Sequence, residues 1–225
     1  MALYFLLIGV PLILGLYAQY RVKHAFTKYA QVPVSTGVTG ARAAQEILDA
    51  AQIHDVEIVE LNGSMLGDHY DPTNKRLVLS SDVYRGASVA AVGVAAHETG
   101  HAIQHARAYA PLKARMAIVP VTQLASQALP FIMMGGLVFG ILALFKLGIV
   151  CYLVLTVFQL ITLPVEFDAS RRAKIILEQM GIVQSGPESI GVSRVLNAAA
   201  LTYVAAFVAA LANLFYLILV SRNRN

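Results

Sequence analysis

Charge and cysteine are what this chain is short of. Of its 225 residues, 13% are charged and 57% are hydrophobic, whereas an average globular chain is about 25% charged. The shortage is clustered. Residues 2–20 and 195–220 contain no Asp, Glu, Lys, Arg or His, and residues 116–165 contain only Lys146. Soluble helices rarely run twenty residues without a charge, so a large soluble helical core is disfavoured. A bilayer span takes about 20 apolar residues, which leaves room for four, near 2–20, 117–143, 147–165 and 196–220. Cys151, the single cysteine, falls inside the third of these. No intrachain disulfide can form, and no cysteine cluster is available to hold a metal. Internal repeats and low-complexity tracts are missing as well.

The charges that are present flank the spans. Net charge is +4 and the pI about 9.2. Anionic lipid headgroups account for this basic character at membrane boundaries, so no nucleic-acid partner is expected. Arg21, Lys23, Lys28, Lys113 and Arg115 lie in the 21–115 segment, and Arg171, Arg172, Lys174 and Arg194 lie in 166–194. The opposite side has Lys146, Arg222 and Arg224. The bias assigns both longer polar segments to the cytoplasm. Parity adds that with four spans these two segments share one side, whichever side that is. Leu16-Tyr17-Ala18 before Gln19 is a poor cleavage site, so the first span reads as an uncleaved anchor with its N-terminus outside.

The expected organisation is therefore mainly α and integral to the membrane, with a small α+β part. Residues 1–20 form an anchor, and 21–115 a cytoplasmic part that contains the α+β elements. Residues 116–165 supply two spans, 166–194 a cytoplasmic helical segment, and 195–225 the last span and a short tail. Within the second segment, 33–40 is a breaker-rich linker. Residues 41–51 read as an amphipathic helix with Ala44, Ile47, Leu48 and Ala51 on one face. Residues 56–61 read as a strand, and 66–80 as a turn followed by a strand. Ser80, Ser81 and Asp82 offer a cap, and Ser88 could cap a helix over about 87–108. Pro120, Pro130 and Gly135-Gly136 interrupt the second span. A small sheet ahead of that last helix either pairs with an extended peptide along an edge strand or simply braces the helix; pattern alone does not choose.

The helix over 87–108 carries His97-Glu98-Thr99-Gly100-His101, the pattern HExxH. Four residues of α-helix rotate about 400° and rise about 6 Å, so both imidazoles point the same way, one turn apart. That spacing lets two nitrogens reach one zinc ion at about 2.1 Å each. Glu98, beside the first ligand, is placed to act as general base on a zinc-activated water. A purely structural zinc site needs no such carboxylate, and without a partner Glu98 would be an awkward charge among small apolar residues. His105 continues an i, i+4, i+8 series, but it lies about 12 Å along the axis from His97, too far to share one ion. It is more naturally an orienting or entry-side residue. Glu166, at the end of the third span, is the better third ligand, because an acid at a membrane boundary is costly without a partner. Asp168 is the less favoured alternative, since it also suits the first turn of a helix by its charge.

Three stretches carry a resemblance. Val94–Gln104 around the HExxH, Leu163-Pro164-Val165-Glu166-Phe167-Asp168-Ala169-Ser170, and Val195–Ala206 together resemble the bacterial membrane zinc metallopeptidases typified by YugP. The resemblance covers nearly the whole chain. It implies a zincin-like catalytic part, a zinc cofactor and hydrolysis of peptide bonds, in a multi-pass protein of the bacterial plasma membrane. More distantly the layout is similar to HtpX and the CAAX prenyl proteases, gluzincins in which HExxH is joined by a downstream Glu. In their pattern an Asp four residues after that Glu orients a histidine ligand. Here Ser170 stands at that position and the acid is at Asp168, so Asp168, Ser170 and His105 are the candidates for supporting the ligands. Asn197, Thr202 and Tyr203 match the family's last span, where packing against other helices is the plainer role.

The expected activity is thus that of a membrane-embedded zinc endopeptidase acting on protein or peptide substrates, some of them membrane-associated. The alternative is a metal-binding or metal-transporting membrane protein without proteolytic activity. A third reading is a proteolytically silent adaptor in which zinc only braces the fold. Gly135, Gly136 and Gly140 could seat helix against helix within one chain or between copies, or against another membrane protein.

Overall fold

A computed structural model describes residues 2–61 and 67–222. The expected turn starting at Leu66, Met1 of the anchor and Arg224 of the tail lie outside the described residues. In chain order the elements are α1 (Ala2–Ala30), α2 (Gly40–Ala50), β1 (Glu57–Leu61), β2 (His69–Asp71), β3 (Arg76–Ser80) and α3 (Ser81–Tyr84). They continue with α4 (Val89–Ala106), α5 (Ala110–Phe139), α6 (Leu142–Gln179) and α7 (Pro187–Arg222). The four long helices α1, α5, α6 and α7 are each long and apolar enough to cross a membrane. The protein is mainly helical with one small sheet.

The chain forms two compact units. The first comprises α1 as far as Gln19, Lys113–Pro164, and α7 from Thr202. Its interior is slight: Ala125, Leu129 and Cys151, with Ile132, Met133, Tyr152, Val154 and Leu155 packed against them. Its large apolar side chains mostly point outward, among them Leu124, Phe131 and Leu137. That inversion suits lipid, where apolar exposure costs nothing. Hydroxyls inside these helices turn back on their own backbone: Thr122, Thr156 and Thr162 donate to the carbonyls of Ile118, Tyr152 and Phe158 at 2.7–2.9 Å, which satisfies them without water.

The break between α5 and α6 falls at Gly140 and Ile141, earlier than the expected break around Lys146. Gly140 has φ of +65°, a conformation glycine adopts without the steric cost of a Cβ. Lys146 lies inside α6. The charge marked where the apolar run is interrupted, while the glycine makes the turn. α5 also continues through Pro120 and Pro130.

The second unit is Tyr20–Leu112 with Val165–Leu201. It has a conventional core, including Ile47, Leu48, Leu77, Leu79, Val92, Leu177 and Leu196. α2 buries Ala43, Ala44, Ile47 and Leu48, the amphipathic face expected from sequence. Its start is capped by Thr39, which accepts from the Arg42 N–H. The sheet has the order β1-β3-β2, with β1 parallel and β2 antiparallel to β3. Asp71 accepts from the Thr73 and Asn74 N–H groups, an Asx-type turn that closes the β2–β3 hairpin. α4 begins where Ser88 accepts from the Ala91 N–H and is buried along most of its length. α1 runs on past the expected anchor to Ala30, and α6 continues unbroken past Glu166 to Gln179.

Candidate metal centre

The site is built where α4 meets the second unit's share of α6. Two buried histidines one turn apart on α4 share a face, as the 3.6-residue period requires. Their rings stand edge to face, with centroids 4.9 Å apart. Glu166 comes from α6 and is only 1% exposed. One of its oxygens, Oε2, lies 3.3 Å from His97 Nε2 and 3.6 Å from His101 Nε2. Donors at about 2.1 Å around a tetrahedral zinc are about 3.4 Å apart. All three donor atoms lie within 4.8 Å of one another. The donor set, two imidazole nitrogens and a carboxylate oxygen, and its spacing both fit zinc.

Electrostatics point the same way. Burial works against a charged His101, but the hydrogen bond it donates to Glu166 and the charges of Glu98 and Glu166 outweigh it and hold the imidazole pKa above its ordinary value. The pocket therefore favours positive charge at the place where a divalent cation would sit.

Close approach of the two helices depends on Gly100. A Cβ there would meet the Ala169 carbonyl oxygen at 3.0 Å and its Cα at 3.2 Å. Only a residue without a side chain leaves α6 at its present distance.

Each histidine is held from behind. Ser170 Oγ lies 3.1 Å from His97 Nδ1. Gln104 Oε1 lies 3.0 Å from His101 Nδ1. Asp168 touches neither histidine. It accepts from Gln104 Nε2 at 3.0 Å and pairs with Arg171 at 2.6 Å and Arg172 at 2.5 Å. His105 stands apart from the three donors and exchanges a 2.9 Å hydrogen bond with the Tyr70 hydroxyl of β2. Burial, with Asp55 and Asp71 nearby, pushes the Tyr70 phenol up to about 12, so it remains protonated.

Glu98 is half-buried on α4. Its charge reaches Asp68, whose carboxyl is raised chiefly by burial and opposed by hydrogen bonds from Ser80. Asp68 accepts from the Ser80 N–H at 2.6 Å and hydroxyl at 3.2 Å. The residue just before β2 thus sets an acid near Glu98, and β2 itself sets a phenol on His105. Asn197 accepts from Lys174, a polar packing contact.

Gln104, Gly100 and Asp68 were not singled out from sequence. Gln104 had a usable signal: residues 97, 101 and 104 share one face of a helix, and a polar amide on a buried face needs partners. Asp68 had none, because it stands just before β2, outside any helix or strand period.

Among the described residues, a buried His-His-Glu cluster on two helices could hold a metal ion, in a protein with four helices long and apolar enough to cross a membrane. The chain belongs to the family described as "Putative neutral zinc metallopeptidase", whose model matches residues 4–222. It is 45% identical over 210 residues to "Putative membrane protease YugP" of Bacillus subtilis (strain 168), an alignment covering 93% of this chain and 92% of that one. No solved structure matches it.

Proposed function

We propose that the protein is a membrane-embedded zinc endopeptidase whose metal is held by His97, His101 and Glu166, with Glu98 as general base. The observation that carries this reading is the meeting of three donors from two helices at 3.3 and 3.6 Å. A zinc ion bound there supplies Lewis acidity, acidifying a water and polarising the substrate carbonyl. Glu98, adjacent to His97 in the chain and half-buried, takes a proton from the attacking water and returns it to the leaving amine nitrogen. Gly100 keeps α4 and α6 close enough for Glu166 to reach both imidazoles. β2 is an edge of the sheet and packs beside α4, an arrangement suited to aligning an extended peptide with the HExxH helix.

The basic residues flanking the spans support a cytoplasmic active site in a multi-pass plasma-membrane protein. Glu166 directly follows the apolar run of α6, which ends at Val165. Protein and peptide segments lying close to the bilayer surface are the substrates such a site would meet.

The test is Glu98→Gln in the full-length protein. Zinc content should be unchanged while cleavage of a peptide library or of co-expressed membrane proteins is abolished. A Glu98→Gln protein that cleaves as the native one does would refute the assigned base. Zinc transport into proteoliposomes unaffected by the substitution would favour the transport alternative.

A further inference from the structure

We propose that Gln104 is a positioning residue through which Asp168 fixes the ring orientation and tautomer of His101. The inference rests on the reading that His101 ligates the metal. Gln104 is fully buried. Its amide nitrogen donates to two acceptors, the Val165 carbonyl at 2.8 Å and Asp168 Oδ2 at 3.0 Å. Neither can donate in return, because one is a carbonyl and the other a carboxylate paired with two guanidiniums. Turning the amide over would set its oxygen against two oxygens and bury an unpaired donor, so one orientation holds. That orientation points Oε1 at His101 Nδ1, 3.0 Å away. An amide oxygen only accepts, so the Nδ1 of a neutral His101 must carry the hydrogen. Its lone pair is then on Nε2, the nitrogen facing Glu166.

His97 is held differently. The Ser170 hydroxyl beside its Nδ1 can donate or accept, so it permits the metal-binding tautomer without enforcing it. The two ligands are therefore unequal, and the structure spends its buried network on His101. An amide relay has a further consequence. It transmits orientation from Asp168 without bringing a third carboxylate against a pocket that already contains Glu98 and Glu166, and it leaves His101 less basic than a directly bonded carboxylate would.

The experiment is a double-mutant cycle on zinc affinity, measured by competition with a chromophoric chelator on full-length, detergent-solubilised protein stripped of metal. Gln104→Met should weaken zinc by about 10- to 100-fold. Asp168→Asn frees the amide to turn and should weaken zinc by about tenfold in the native background. In the Gln104→Met background it should have no further effect, because the relay is already cut. A purely structural role for Asp168 would give the same loss in both backgrounds and overturn the inference. So would a Gln104→Met protein that holds zinc as tightly as the native one. If Gln104→Met does not fold, the near-isosteric Asp168→Asn decides alone, and native-like zinc affinity refutes the relay. Native protein that binds no zinc at all would instead overturn the metal-site reading itself.

Discussion

The two units of this molecule treat large apolar side chains in opposite ways. In the membrane unit, Phe131 is 77% exposed and Leu124 69%, and hydroxyls are satisfied inside their own helices. In the unit that carries the candidate metal donors, Glu166 and Gln104 are 1% and 0% exposed and the core includes buried leucines such as Leu48 and Leu77. The difference follows from the surroundings. A helix in lipid gains nothing by hiding leucine from its neighbours, whereas a unit facing water must hide it. A buried polar group in the second unit is therefore conspicuous, because it has given up water and needs a partner. Every buried polar atom among the described side chains has one. Where such partnered groups converge on α4 and α6, the candidate site lies.

The sharpest way to break this comparison is to truncate a leucine in each unit. Leu48→Ala, at a fully buried position, should cost about 2–5 kcal/mol, read as a fall in the thermal unfolding midpoint in detergent. Leu124→Ala, on the outward face of α5, should stay within about 0.5 kcal/mol. Equal losses would mean that the outward face of α5 is packed against protein rather than lipid. Next in size is Gly100→Ala, which places a methyl group 3.0 Å from the Ala169 carbonyl. It should cost about 1–3 kcal/mol and weaken zinc retention by moving Glu166 away from the histidines. Unchanged zinc affinity in that variant would show that the helix approach is not what assembles the donors. The smallest effect is expected at Arg42, whose pair with Glu46 is exposed on α2. Arg42→Ala should change stability by no more than about 0.5 kcal/mol, and a larger loss would mean the pair is part of a wider contact.

Much of the architecture was legible because lipid and helix geometry both write strong periodic signals. Two runs without charge and a third interrupted only by Lys146 marked the four long helices, and the i, i+4 histidines marked their shared face. Glu166 stood out as a lone acid at the end of an apolar stretch. The α5–α6 turn lies a few residues before the expected break, because Gly140, with its positive φ, turns the chain while Lys146 is carried inside α6. The strand order β1-β3-β2 was not legible either: parallel pairing of β1 with β3 joins segments separated by β2, and no local pattern encodes that choice. Gln104 was missed for a related reason. Its partners Val165 and Asp168 are 61 and 64 residues away in the chain, so its importance exists only once α4 and α6 are side by side.

The amino-acid order alone determined which helices are long and apolar enough to cross a membrane and that His97 and His101 share a helix face, because hydrophobic length and helical repeat are local properties. Glu166 and Ser170 were already candidates; what only the folded molecule decided is the geometry, with Glu166 within reach of both imidazoles, Ser170 beside His97 Nδ1 and the unforeseen Gln104 beside His101 Nδ1. Hydrogen bonds and coordination depend on distances of about 3 Å, and such distances between remote residues arise only from packing, here through the gap that Gly100 leaves open.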